Sequence, residues 1–175
     1  MSSAPEDRLA ITDLLYRYAE LIDAGDFDGV GELLARSTFA GTRSAKTAGA
    51  AAIAKLFAAT TRRYPASGVA GRAAGATATP RTRHLVLNPI VEVSADGTTA
   101  TARSTFCVVQ ATDTVALRPI VVGRYFDTFS RDPENCAGWY FTAREVDVEM
   151  IGDVSAHLMV DPTEFDTKQR GDLEC

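Results

Sequence analysis

The chain has 175 residues, of which 46% are hydrophobic, and this is typical of one globular domain with a single core. Its formal net charge is -5 and neither sign of charge forms a block, so a basic face for nucleic acid is not expected. No stretch is long and apolar enough to cross a membrane, and the acidic start does not resemble a signal peptide. We therefore expect a cytoplasmic protein that binds neither nucleic acid nor a membrane.

The first half of the chain is predicted to be mostly helical. From Pro5 to Ile22, apolar residues recur with helical spacing, which predicts an amphipathic first helix. Gly25 is a natural end for this helix, and Asp26 is a suitable cap for the next one. The segments that follow are predicted to be a second helix, a short strand and an alanine-rich third helix, over residues 27–35, 36–42 and 46–63.

The second half is predicted to be a sheet. Residues 64–80 are rich in small residues, glycine and proline and predict a long loop, which is either a lid or an insertion without a function. The apolar period then changes to two, and four strands joined by short turns are predicted over residues 83–94, 98–111, 117–131 and 139–151. Pro89 and Pro119 lie inside strands and predict a sheet edge or a bulge. Helices followed by an antiparallel meander predict an α+β fold.

Cysteine usage and the absence of known motifs predict a site without a metal or a cofactor. The three cysteines, Cys107, Cys136 and Cys175, are odd in number and irregular in spacing, which indicates neither a disulfide framework nor a zinc site. The sequence contains no phosphate loop, dinucleotide-binding glycine motif, nucleophile elbow or metal-binding His/Glu motif. Candidates for chemistry must therefore be ionisable side chains that point into a pocket between helices and sheet.

The chain has only two histidines, and one of them is a candidate for such chemistry. His84 opens a predicted strand whose next residues alternate into the core, so it is either a hydrogen-bonded structural residue or a general base. Asp23 lies near the rim of the apolar face of the first helix, at an end where the helix dipole disfavours a carboxylate. An unfavourable position of this kind is weak evidence that Asp23 has a function. His157 follows the last predicted strand, and no catalytic role is assigned to it.

Several residues of the last two strands are expected to be structural. Asp127, Arg131 and Arg144 are expected to form cross-strand charge pairs on the solvent face of the sheet. Trp139 is expected to pack against the sheet. Tyr125 either lines the pocket or packs in the core.

Four stretches, in order and spacing, resemble a known family. They are ITDLLYRYAELIDAGDFDGVGELL, TRHLVLNPIVEV, VVGRYFDTFSRD and GWYFTAREV. They resemble the SnoaL-like branch of the nuclear transport factor 2-like superfamily, which has scytalone dehydratase-like and bile-acid 7α-dehydratase-like members. The resemblance implies one domain over residues 1–175, with a core from about residue 7 to about residue 158 and a tail at 159–175. It implies a cone-shaped α+β barrel, three helices on a curved, mainly antiparallel sheet around a cavity, and a homodimer or homotrimer.

The resemblance also implies a set of site residues. Dehydratase-like members carry a Tyr-x-x-x-x-Asp arrangement on the first helix and a histidine at the start of the strand after the long loop, and Tyr18, Asp23 and His84 match it. His84 would remove a proton from the substrate, Asp23 would orient the imidazole and stabilise its charged form, and Tyr18 would hydrogen-bond a carbonyl or hydroxyl. Further residues expected to contact the substrate are Tyr125, Cys107 and Phe57.

The expected function is a cofactor-independent lyase of the dehydratase type that acts on a hydrophobic cyclic molecule of steroid, polyketide or aromatic type. Some dehydratases carry a second acid or histidine where this chain has residues 107–110, and that group is missing here. Elimination with a good leaving group, or with a proton shuttle through Tyr18, remains compatible with the residues. The alternatives are an isomerase or cyclase with the same base, and a non-catalytic ligand-binding or subunit-like protein.

Overall fold

The structure, a computed structural model, describes residues 4–41, 44–65, 78–131 and 138–160, which form three helices and six strands. The helices are α1 (Ala4–Ala24), α2 (Phe27–Leu33) and α3 (Ala50–Thr60). The strands are β1 (Thr38–Ala40), β2 (Thr47–Ala48), β3 (Thr82–Val93), β4 (Thr99–Gln110), β5 (Arg118–Arg131) and β6 (Trp139–Ile151). Most of the predicted loop, most of the predicted tail, Cys136 and Cys175 lie outside the described residues.

The turn between α1 and α2 has the residues that the sequence indicated. Gly25 has a φ of 73°, a left-handed conformation that glycine adopts without strain, and it ends α1. A Cβ at this position would lie 3.0 Å from the carbonyl oxygen of Ala78, so glycine also permits the chain before β3 to approach the end of α1. Asp26 caps α2, because its Oδ1 accepts the backbone N–H of Gly29 at 2.9 Å.

The third helix is shorter than predicted. The stretch from Lys46 first forms β2, which pairs with β1, and α3 begins only at Ala50. Gly49 lies between them with a φ of 87°, a conformation that does not belong to a right-handed helix. The alanine content correctly indicated a helix, but local propensity does not show that residues 47–48 find a partner strand.

The six strands form one sheet in the order β2-β1-β6-β5-β4-β3. Neighbouring strands are antiparallel except β1 and β6, which are parallel. The α+β class and the mainly antiparallel sheet are confirmed. The sheet is not closed within the described residues, because β2 and β3 are its edges, so it is an open sheet rather than a complete barrel.

Register shifts interrupt the long strands, and two of them lie where the sequence predicted irregularity. One shift in β3 follows Leu87 and includes Pro89, and a shift between β4 and β5 lies beside Pro119. A further shift in β5 lies at Gly123, where a Cβ would clash with the backbone carbonyl of Asp147. Such bulges bend a sheet, and here they interrupt the strands that carry the candidate site.

The core lies between the helices and one face of the sheet. Strand alternation puts the even-numbered residues of β4, such as Phe106 and Val108, on the buried face. The largest apolar side chains of this core that are fully buried are Ile11, Leu15, Leu34, Ile53, Ile120, Tyr125, Phe129 and Phe141. None of the described helices combines the length and the apolar character needed to span a bilayer.

Candidate active site

Asp23 and His84 are in direct contact. Asp23 Oδ1 lies 2.7 Å from His84 Nδ1, and Asp23 Oδ2 accepts the backbone N–H of His84 at 2.8 Å. The hydroxyl of Thr82 donates to Oδ1 at 2.8 Å. The side chains of Asp23 and His84 are only 8% and 9% exposed. This is the contact that a dyad requires, while its catalytic role stays a prediction.

The backbone explains how these residues meet. Asp23 is in the last turn of α1, and the close approach at Gly25 brings the entrance of β3 beside it. Arg81 has a φ of 58°, so the chain turns sharply just before β3 begins. Alternation along β3 then directs Thr82 and His84 to the buried face.

The Asp23 carboxyl is ionised at neutral pH. Burial alone raises its pKa, but the hydrogen bonds from His84 and Thr82 and the charge on His84 outweigh burial and lower the pKa below its ordinary value. A carboxylate at this place accepts a hydrogen bond from Nδ1–H, which leaves Nε2 of His84 as the nitrogen that can accept a proton.

Tyr18 lies deeper in the core than the dyad, surrounded by aromatic rings. Its ring meets Tyr125 and Phe57 edge to face, with centroids 6.0 and 6.3 Å apart. Burial raises the pKa of Tyr18 to about 12, although the neighbouring Arg144 acts to lower it. Its hydroxyl is therefore a hydrogen-bond donor, and a weak acid. Of the residues expected to contact the substrate, Phe57 and Tyr125 lie beside Tyr18.

Cys107 does not share this interior. It alternates with Phe106 and Val108, which point to the helices, and its cross-strand neighbour Leu85 is 43% exposed on the opposite face. Cys107 therefore lies on the other face of the sheet from Tyr18, and its contact with a substrate stays a prediction. Strand alternation is enough to predict this face, because Cys107 directly follows the buried Phe106.

A buried ion pair, which the sequence interpretation had placed in solvent, lies against Tyr18. Arg144 Nε and Nη2 donate to Asp127 Oδ1 and Oδ2 at 2.8 and 2.9 Å, and both side chains are 0% exposed. The guanidinium carbon lies 4.1 Å from the ring centroid of Tyr18 and 4.2 Å from that of Tyr125. Burial alone lowers the pKa of Arg144, but the Asp127 carboxylate outweighs this and raises it. A permanent cation is therefore enclosed between two tyrosines.

The cross-strand pairing of Asp127 with Arg144 was expected. The prediction that this pair lies on the solvent face of the sheet was wrong, because the pair is buried. Asp127 lies between Tyr125 and Phe129 in alternation, and both of those aromatic residues are in the core. Arg131 differs as well, because the carboxylate that it bonds, at 2.6 Å, belongs to Asp7 of α1 and not to a residue of a neighbouring strand. Trp139 packs in the core as expected.

The second histidine lies close enough to the dyad to sense its charges. His157 is buried, and burial lowers its pKa to about 4, with the charge on His84 contributing to the lowering and that on Asp23 opposing it. The sequence interpretation gave His157 no role. No local pattern indicated one, because residues 155–158 reach the site only by folding back after β6.

Two open cavities lie away from the dyad. One of about 380 Å³ lies between the α1–α2 turn and α3, and one of about 300 Å³ lies on the outer sheet face near Ile90 and Phe126. Neither is lined by Asp23 or His84, so neither is the enclosed cavity that was expected. Among the described residues, no group of three or more His, Cys, Asp and Glu side chains is arranged to hold a metal ion.

Comparison with known proteins agrees with this architecture. A family model described as the SnoaL-like domain matches residues 3–145. No curated protein matches the chain. An NTF2-like protein with a cystatin-like fold from Novosphingobium aromaticivorans is 28% identical, with 86% of each chain covered and a TM-score of 0.62.

Two further solved structures are similar in fold. A candidate scytalone dehydratase from Novosphingobium aromaticivorans is 19% identical, with 85% of this chain and 91% of that chain covered and a TM-score of 0.60. A candidate dehydratase of the NTF2-like family from Streptomyces avermitilis is 13% identical, with 85% and 99% covered and a TM-score of 0.59. At these identities the likeness shows the fold alone.

Proposed function

Because the chain belongs to the SnoaL-like domain family, we propose that it is a cofactor-independent lyase of the dehydratase type. The observation that carries the proposal is the buried contact of 2.7 Å between Asp23 Oδ1 and His84 Nδ1. Two solved structures of the same fold are candidate dehydratases, and the proposal assigns this chain the same reaction class. The substrate is a hydrophobic cyclic molecule of steroid, polyketide or aromatic type.

The dyad suits proton abstraction from carbon next to a carbonyl. His84 Nε2 takes the proton, the C–H electron pair forms a carbon–carbon double bond, and the bond to the β-hydroxyl breaks. The leaving hydroxide combines with the proton held by His84, so the products are water and an unsaturated carbonyl compound. Asp23 stabilises the imidazolium that exists between these steps, and such a general base contributes about 10² to 10⁴ in rate.

Tyr18 and the buried cation beside it suit the stabilisation of negative charge. In this proposal the hydroxyl of Tyr18 donates to the substrate carbonyl, whose oxygen becomes more negative as the proton leaves. Arg144 lies 4.1 Å from the ring of Tyr18, and its charge acts on Tyr18 more strongly than the opposing charge of Asp127. Fixed charges and dipoles in a site shielded from water are the most effective way to stabilise a developing oxyanion.

Dehydration of simple β-hydroxy cyclic ketones tests the proposal. The full chain is incubated with 3-hydroxycyclohexanone and with fused-ring homologues, and the ultraviolet absorbance of the enone is followed. We expect turnover by the wild type and a loss of about 10² to 10⁴ in kcat/KM for His84→Gln. The matched control is Arg83→Gln, one residue away but exposed on the other face. Equal rates for the two variants would refute His84 as the base.

An isomerase is a second candidate, and one observation favours it. Residues 107–110 contain no carboxylic acid or histidine that could act as a separate acid, and isomerisation needs only one group that takes up a proton and returns it. The same base would move a proton within cyclohex-3-enone to give cyclohex-2-enone. Turnover of this ketone without dehydration of 3-hydroxycyclohexanone would select the isomerase.

We also propose that the chain forms a homodimer or homotrimer. The outer face of the sheet carries large apolar side chains that are 42% to 46% exposed, namely Leu85, Leu87, Ile90 and Phe126. Large apolar side chains exposed on one face of a sheet are typical of an assembly surface.

A further inference from the structure

Two buried polar atoms near the dyad have no hydrogen-bond partner within the described part of the chain. They are Oε1 of Gln110 and Nδ1 of His157, on residues that are 1% and 9% exposed. Buried polar atoms in native proteins are nearly always hydrogen-bonded, because an unmade bond costs the desolvation of the group. Each of the two atoms can therefore form a further hydrogen bond to a group outside the described part of the chain.

The orientation of the Gln110 amide is determined by its neighbours. Its Nε2 donates to the carbonyl oxygens of Pro80 and Ala156, both at 3.1 Å. Two carbonyl oxygens cannot accept a hydrogen bond from an amide oxygen, so the nitrogen end must face them. Oε1 is consequently an acceptor with no donor.

Gln110 and His157 belong to the same cluster as the dyad. Gln110 is paired across the sheet with Thr82, whose hydroxyl donates to Asp23. The same amide contacts the carbonyl of Ala156, the residue directly before His157. The effect of the His84 and Asp23 charges on the pKa of His157 is consistent with this proximity.

The position of His157 is fixed by hydrogen bonds to the segment after α3. Arg62 Nε donates to the carbonyl oxygens of Ser155 and Leu158, both at 3.1 Å, and the backbone N–H of Arg62 donates to the carbonyl of His157 at 2.8 Å. The hydroxyl of Tyr64 donates to the carbonyl of Ala156. These bonds hold the backbone of residues 155–158, so this segment needs little reorganisation to bind a ligand.

We propose that Gln110 and His157 form a hydroxyl-binding subsite of the candidate active site. A ligand hydroxyl donates its proton to Gln110 Oε1 and accepts the Nδ1–H of neutral His157. A single hydroxyl can make both bonds, whereas a carbonyl oxygen can only accept. The inference rests on the proposed function and adds which residues hold the hydroxyl group of the substrate.

Nitrogen NMR of the two histidines tests the subsite. The full chain is labelled with ¹⁵N-histidine, and His84→Gln assigns the two imidazoles. Cyclohexanol is the probe, and cyclohexanone is the matched control, because it has the same ring size but no proton to donate. We expect cyclohexanol to shift the Nδ1 resonance of His157 and to select the Nδ1–H form, with a much smaller effect of cyclohexanone. A His157 resonance that ignores cyclohexanol, or follows both probes equally, overturns the subsite and leaves bound water as the partner.

Two variants at His157 give a second measurement. His157→Leu removes the donor, whereas His157→Asn keeps an N–H close to the position of Nδ1. We expect His157→Leu to weaken the affinity for cyclohexanol about fivefold to tenfold and His157→Asn to restore most of it, which corresponds to one hydrogen bond. Equal weakening by both variants contradicts the subsite.

These readouts are separate from the lyase proposal, because they measure equilibrium binding and no turnover. A His157 that responds to cyclohexanol in a chain that does not dehydrate 3-hydroxycyclohexanone supports the subsite and refutes the lyase. Dehydration with an unresponsive His157 supports the lyase and refutes the subsite.

Discussion

The carboxylate of Asp23 contacts His84 with both of its oxygens. Oδ2 accepts the backbone N–H at 2.8 Å, and Oδ1 lies 2.7 Å from Nδ1 of the ring. The first contact fixes the entrance of β3 relative to α1, and the second fixes the ring. Structure and chemistry at this place therefore depend on the same side chain, and a substitution at Asp23 should change both.

Asp23→Asn should destabilise the protein and change the tautomer of His84. An amide has one acceptor oxygen for three donors, so we expect a loss of about 2 to 3 kcal/mol in the free energy of unfolding. The amide N–H₂ near Nδ1 should favour the form of His84 that is protonated at Nε2. Urea unfolding and ¹⁵N shifts of the imidazole measure the two effects. Asp13→Asn, an exposed position on the same helix, is the control, and matching behaviour of the two variants would contradict the prediction.

The stability should fall between pH 6.5 and 4 because of His157. Its folded-state pKa of about 4 is below the ordinary value of 6.5, so the unfolded chain takes up the proton first as the pH falls. The contribution is fully present above pH 6.5 and is lost progressively toward pH 4, by up to about 3 kcal/mol. Unfolding by urea at a series of pH values should show a steeper slope for wild type than for His157→Gln. Identical slopes would mean that His157 titrates normally.

Asp23 should affect the stability of the protein at lower pH than His157 does. Its folded-state pKa lies below the ordinary value of 3.8, so its contribution is present above that pH and is lost as the pH falls through the lowered value. The two windows adjoin near pH 4 and can be separated. Asp23→Asn should change the acid limb below pH 4, whereas His157→Gln should change the limb above it.

The buried ion pair should show strong coupling between its members. Arg144→Met leaves the Asp127 carboxylate unpaired at 0% exposure, and we expect a loss of about 3 to 5 kcal/mol. Adding Asp127→Leu removes the unpaired charge, so the double variant should be more stable than the sum of the single losses. The exposed pair Arg124–Glu149 is a matched control, and Arg124→Met should cost less than about 1 kcal/mol. Additive losses at Arg144 and Asp127 would contradict the coupling.

The parts of the fold that depend on local pattern could be predicted from the sequence. Helical spacing indicated α1, the residue types at Gly25 and Asp26 indicated the turn, and alternation indicated the four long strands. The contact between Asp23 and His84 was expected from the family resemblance. Each of these features can be predicted either from neighbouring residues in the sequence or from a family motif.

The remaining features depend on partners that are far apart in sequence. Arg144 and Asp127 are residue types that usually face solvent, and each is buried only because the other cancels its charge. The pattern Tyr125, Asp127, Phe129 did contain the signal, since the alternate neighbours of Asp127 are aromatic. His157 gave no such signal, because its burial comes from hydrogen bonds between residues 155–158 and residues 62–64.

Substitution on the outer sheet face should dissociate the proposed homo-oligomer. Phe126 is 42% exposed and lies beside Ile90 in the outer cavity of about 300 Å³, so a lysine there would place a charge in a face that a second copy covers. We expect the wild type to have the mass of a dimer or trimer by light scattering after gel filtration, and Phe126→Lys to have the mass of one chain. Leu9→Lys is the control, since Leu9 is 64% exposed on α1 and should leave the mass unchanged. A wild-type mass of one chain would refute the assembly, and an unchanged mass for Phe126→Lys would place the contact on another surface.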